Sequence, residues 1–98
     1  MSDTSIVVTM RLTPADPAAF ETFLGEILPD TRKANGCKSC KTFTGQGDGG
    51  DFMLLQEWDS IADQQAYMAW RGETGVLATF LGHLAKPADV VIWERNAA

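Results

Sequence analysis

One histidine, one tyrosine and two cysteines are present in this chain of 98 residues. A zinc centre built from thiolates and imidazoles needs more ligands than that. Basic residues are also scarce. Eight Lys and Arg stand against thirteen Asp and Glu, for a net charge of −5. No basic cluster is longer than Arg32-Lys33, which argues against nucleic acid and anionic membranes as main partners. No apolar run approaches the roughly 18 residues of a membrane span. The opening Met-Ser-Asp-Thr-Ser lacks the basic and apolar regions of a signal peptide. A cytoplasmic protein with reduced thiols is therefore expected. There is no internal repeat, linker or low-complexity segment.

What is present suits one packed domain over residues 1–98. Hydrophobic residues make up 45% of the chain, which is not a disordered composition. A domain this small still gains from burial against a partner.

Ser5 to Thr13 is rich in β-branched residues and predicts a strand. Ile6, Val8, Met10 and Leu12 share one of its faces; Val7, Thr9 and Arg11 share the other. Asp16 then suits a helix N-cap and Pro17 the first helical position. Phe20, Phe23, Leu24, Ile27 and Leu28 follow the spacing of one buried stripe. Pro29 loses the bond to the Gly25 carbonyl and should kink that helix, while Thr31 to Ala34 can continue it. Asn35-Gly36 is a C-terminal stop.

Cys37 to Thr44 predicts a second strand, Gly45 to Gly50 a turn, and Phe52 to Trp58 a third strand. Ser60, with Asp63 three residues on, predicts an N-cap for a helix that runs to about Trp70. Arg71-Gly72-Glu73-Thr74-Gly75 reads as its break. A shorter helix through Phe80 and Leu84 and a strand over Val90 to Trp93 complete the chain.

The order β-α-β-β-α-(α)-β is the ferredoxin-like pattern: an α+β fold with a four-stranded antiparallel sheet and helices on one face. The first, third and fourth strands nevertheless carry apolar residues on both faces. A sheet with one wet face should alternate. The second face is therefore expected to be covered by another copy, giving a homodimer whose sheets pack face to face or close into a barrel.

Several segments carry a family resemblance. They are the first strand, the long helix with Thr31-Arg32-Lys33 before Asn35-Gly36-Cys37, the Gly-rich hairpin, and Leu55-Gln56-Glu57-Trp58-Asp59-Ser60 leading into a helix. Together they resemble the antibiotic-biosynthesis-monooxygenase-like domains, small dimeric α+β-barrel proteins. The resemblance implies a pocket in each subunit between sheet and helices. It also implies, for some members, oxidation of quinols, anthrones or related aromatics by O2 with no bound metal or flavin. In that family the second helix commonly presents a His where Tyr67 stands here. A haem-degrading role would need that His.

Two short motifs have plainer readings. Cys37-Lys38-Ser39-Cys40 spells a redox motif, but such a motif belongs at a helix N-terminus. Three positions apart on a strand, the two thiols should lie on opposite faces and roughly 10 Å apart. Gly45-x-Gly47-x-x-Gly50 matches a dinucleotide fingerprint in spelling, but it leads into a strand, so it reads as a hairpin turn.

The site expected from these residues has no metal and no cofactor. Phe52, Leu54, Trp58 and Trp70 would wall a pocket for a small aromatic or quinol-like molecule. Gln56 would bind a substrate oxygen. Tyr67 would donate a hydrogen bond to one, since a phenol is a poor base at neutral pH but a usable donor. His83 would take the proton, if it faces the pocket. Each has a structural alternative: Trp58, Tyr67 and Trp70 as packing aromatics, His83 as a helix-end group. The competing function is a non-catalytic dimer that binds a small ligand.

Overall fold

The computed structural model describes residues 6–47 and 51–98. The elements follow the expected order: β1 (Ile6–Leu12), α1 (Pro17–Arg32), β2 (Cys37–Thr44), β3 (Phe52–Trp58), α2 (Ile61–Thr74), α3 (Val76–Gly82) and β4 (Asp89–Glu94). They form a ferredoxin-like α+β fold whose single sheet has the order β2-β3-β1-β4, with every neighbouring pair antiparallel.

Local chemistry accounts for the helix starts. The Asp16 carboxylate accepts from the Ala19 amide, with Pro17 just inside the helix. The Ser60 hydroxyl accepts from the Asp63 amide in the same way. Each satisfies an amide that the first turn leaves without an intrahelical partner. Pro29 stays inside α1 on its exposed side, and the helix ends at Arg32.

The core lies between the sheet and the helices. Ile6, Val8, Met10 and Leu12 of β1 and Phe52, Leu54, Gln56 and Trp58 of β3 are all buried on that side. Phe20, Leu24 and Leu28 of α1 meet them, as the stripe spacing predicts. The opposite face carries Val7, Thr9 and Arg11 against Glu57, Leu55 and Met53, with Trp93 and Val91 beyond. No element of the described chain covers that face. β4 is exposed along its whole length, because the helices stop short of this edge strand.

Two departures from the sequence reading bear on the site. First, α2 does not stop at Trp70. It continues through Arg71-Gly72-Glu73-Thr74 and is ended by Gly75, whose φ of 82° lies in the left-handed region. A glycine inside a helix costs roughly 1 kcal/mol relative to Ala, which packing overrides. Second, β2 has an irregularity between Cys37 and Ser39, so that Cys37 pairs with Trp58 and Cys40 with Gln56. Both partners belong to the helix-covered face. The bulge cancels the alternation that would have separated the thiols.

Gly36, at φ 84°, is the joint between α1 and β2. Its carbonyl accepts from the Asp59 amide at 2.8 Å. A Cβ here would stand 2.3–2.6 Å from side-chain atoms of Asp63 in the first turn of α2. Gly36→Ala is therefore expected to destabilise the protein. The left-handed backbone alone costs about 1–2 kcal/mol, and displacement of Asp63 adds to it. The midpoint of chemical denaturation should fall accordingly, and an unchanged midpoint would refute the close packing of this turn.

Candidate functional site

A cavity of about 120 Å³ lies between the sheet and all three helices. Met10 of β1, Leu54 and Gln56 of β3, and Val90 of β4 form its sheet side. Ile27 and Leu28 of α1 and Val76, Leu77, Phe80 and Leu81 of α3 enclose it with apolar side chains. Gln64, Tyr67, Met68 and Arg71 of α2 complete the wall. Their spacing is that of one helix stripe. The space compares with an engineered protein cavity of about 150 Å³ that takes one benzene.

The polar corner of this cavity is tightly bonded. Arg71 is only 5% exposed. Its Nε donates to the Tyr67 hydroxyl at 2.7 Å, and its Nη2 donates to the Ile27 carbonyl at 2.7 Å and to the Thr31 hydroxyl at 3.2 Å. The hydroxyls of Thr31 and Tyr67 share a short hydrogen bond. The guanidinium also lies 5.2 Å from the Tyr67 ring centre and 4.7 Å from that of Trp70, within cation–π range. No carboxylate lines the cavity among the described residues.

The residues expected from the sequence divide into three groups. Leu54, Gln56 and Tyr67 line the cavity. Phe52 and Trp58 are buried on the same sheet face but belong to the core around it. Phe52 packs edge-on against Phe20 at 5.4 Å. Trp58 is fully buried, lies 5.2 Å from the Tyr67 ring, and donates from Nε1 to the Gln56 Oε1 at 3.0 Å. It holds Gln56 and backs Tyr67 instead of facing the cavity.

Trp70 and His83 are also placed elsewhere. Trp70 is 43% exposed. It lies along an outer groove with Asp30, Lys33, Asn35 and Asp63. His83 is not among the cavity-lining residues. Its ring stacks on Phe23 at 4.6 Å. Its carbonyl accepts from the Ala15 amide at 2.9 Å where the link after α3 pairs with the chain before α1. That backbone pairing ties His83 to the far end of the helical layer.

Sequence reading missed Gln64 and, more consequentially, Arg71. The signal for Arg71 was its position four after Tyr67, on the same stripe. Reading Arg71 to Gly75 as the helix break hid it.

The thiols contribute no second centre. Cys37 and Cys40 are free. Burial pushes the Cys40 thiol up to about 11, with neighbouring Cys37 adding to the shift. A thiol held neutral in this way is a weak nucleophile. Among the described residues, no group of three His, Cys, Asp or Glu could hold a metal ion. No helix there is long and apolar enough to cross a membrane.

Residues 4–80 match the family model described as antibiotic biosynthesis monooxygenase. No curated protein matches the chain. Among solved structures, a protein from Mycobacterium tuberculosis is similar at 22% identity, with a TM-score of 0.78, covering 96% of this chain and 97% of that one. A protein from Pseudomonas aeruginosa has 16% identity and a TM-score of 0.81, with 99% of each chain covered. A variant of SnoaB, a cofactor-independent oxygenase from Streptomyces nogalater, has 10% identity and a TM-score of 0.80, covering 99% of this chain and 97% of that one. At these identities the likeness establishes the fold.

Proposed function

Because the chain belongs to the antibiotic biosynthesis monooxygenase family, we propose that its cavity is the site of a cofactor-independent monooxygenation of a small aromatic or quinol-like molecule. The observation that carries this reading is an apolar cavity between sheet and helices, with Gln64, Tyr67 and Arg71 together on its α2 wall and Gln56 on its sheet side. The chemistry asks for little more. A phenol that has lost its proton gives an electron to O2, and the radical pair combines as a ring peroxide. Loss of water then leaves a quinone. One oxygen atom stays in the product, the other leaves as water, and the substrate supplies all the electrons. The apolar walls keep solvent from the intermediate. In this reading Leu54 and Met10 hold the ring, and Gln56 and Tyr67 meet its oxygens.

The same proposal makes the protein a homodimer through the open sheet face. Trp93 at one edge strand is 55% exposed and Phe43 at the other is 46% exposed. Val7, Met53, Leu55 and Val91 lie between them, and Arg11, Lys41 and Glu57 are interspersed. An apolar centre with polar groups around it is the usual anatomy of a protein interface. A second copy is the occupant whose sheet matches this one in width and twist. It would also cover Val91 and Trp93 of β4.

Oxygen uptake with a panel of single-ring phenols and hydroquinones tests the reaction. The wild-type protein should exceed the spontaneous rate. Tyr67→Phe should lower the turnover number by about 10²-fold, the usual cost of a lost donor to a developing oxyanion. His83→Ala should leave it unchanged. Equal uptake by Tyr67→Phe and wild type would overturn the role given to Tyr67. A second reading, a non-catalytic dimer that binds a small ligand, is favoured by the lack of any imidazole or carboxylate among the described lining residues. Tight binding of the same phenols with no oxygen uptake would select it.

A further inference from the structure

Arg71 presents an imbalance that its structural role does not explain. It ties α1 to α2 through Nε and Nη2, yet Nη1 has no hydrogen-bond partner among the described residues. No carboxylate among the described residues answers its charge. Burying an unpaired cation is costly, and the faces of Tyr67 and Trp70 return only part of that cost. A second polar group on the same wall is similarly placed. Gln64 is 6% exposed, and its side-chain amide has no partner among the described residues. Neither group is sealed within the protein: the described buried polar atom that lacks both partner and solvent is the Thr13 hydroxyl, at another place in the fold. Both line the apolar cavity, one helical turn on either side of Tyr67.

We propose that this wall is an oxyanion site and that the cavity takes its aromatic ligand as the anion, a phenolate whose oxygen is held by Arg71 Nη1 and the Gln64 amide. The inference rests on reading the cavity as the place where a single aromatic ring binds. It then adds the ionisation state of the ligand. A fixed guanidinium in a low-dielectric pocket favours the charged form of an acid beside it. Arginine also donates in a rigid plane suited to an oxyanion. The proton is lost to water before or during entry, so the site needs no base of its own. That accounts for a wall with a cation and an amide but neither imidazole nor carboxylate. Tyr67 keeps its part as a donor to the substrate and gains a positioning one. Its hydroxyl already accepts from Arg71 and pairs with Thr31, which fixes the guanidinium in the cavity wall.

The probe is 4-nitrophenol, a single ring whose anion is yellow and whose acid is colourless. At a pH where the free compound is half ionised, adding the wild-type protein should raise the yellow absorbance. Bound 4-nitrophenol should titrate at least about one unit lower than free. Arg71→Met should bind the anion at least about tenfold more weakly and abolish the rise, while Arg71→Lys retains part of it. A colourless bound form, no binding by the wild-type protein at millimolar probe, or an undiminished rise in folded Arg71→Met would each overturn the proposal. The wild-type measurement does not depend on whether the variants fold. The readout involves no oxygen, so a protein that passes it and shows no uptake refutes the oxygenase reading and leaves the anion site standing.

Discussion

Trp58→Ala is expected to cost about 3–5 kcal/mol of stability, the usual range for removing a buried aromatic ring. Trp58 is fully buried at the end of β3. Its loss opens a cavity that the sheet backbone cannot collapse to fill, because β3 is hydrogen-bonded on both sides, to β1 and β2. It also leaves Gln56 Oε1 without the indole donor that now satisfies it. A domain of this size has a total stability of about 5–15 kcal/mol, so the variant should be close to unfolding. Its thermal midpoint should fall by at least about 12 °C at matched protein concentration.

Trp58→Phe separates the two contributions. It keeps most of the ring and loses the indole N–H, so about 1–3 kcal/mol should disappear. A cost below about 1 kcal/mol for Trp58→Ala would mean that the ring is not core, and the original expectation of a pocket wall would return.

Leu55→Glu is expected to convert the proposed dimer to a monomer. Leu55 lies in the middle of the open face, facing Lys41 on one side and Thr9 on the other. A two-fold interface presents each residue twice, so a single substitution places two carboxylates in the apolar centre. The dimer should weaken by at least about a hundredfold, comparable to the loss of a central interface anchor. Within one protomer the position is only half-buried, so the isolated fold should survive. Sedimentation equilibrium of both proteins at tens of micromolar, on the order of a standard association measurement, decides the matter. A monomeric wild-type protein, or a variant that still dimerises, would remove the open face from the proposal.

Much of this architecture was legible in order. The β-branched run of β1, the Asp16 and Ser60 caps and the Phe20-Leu24-Leu28 stripe are local features, and each formed as its spacing indicated. The candidate site was legible only in part. Leu54 and Gln56 alternate with their neighbours on one strand face, and Tyr67 lies on a helix stripe, so periodicity led to them. Trp58 lies on the same strand face as Gln56, but periodicity cannot say which residue on a face meets a void and which meets a neighbour.

Arg71, His83 and the two cysteines show why the remainder was hidden. The sequence reading stopped α2 at about Trp70, while in the fold the helix runs one turn further, to Thr74. That turn brings Arg71 to the Ile27 carbonyl, distant in sequence. His83 follows α3, and its direction was decided by a backbone pairing with the chain near Ala15. The bulge in β2 set the faces of Cys37 and Cys40, and it exists only in relation to β3. The sequence by itself determined the elements, their order and an apolar second sheet face, because these follow from the period and chemistry of neighbouring residues. The tertiary structure alone decided which polar groups meet in the cavity. Their meeting depends on contacts between α1, α2 and the sheet, and no single element encodes those contacts.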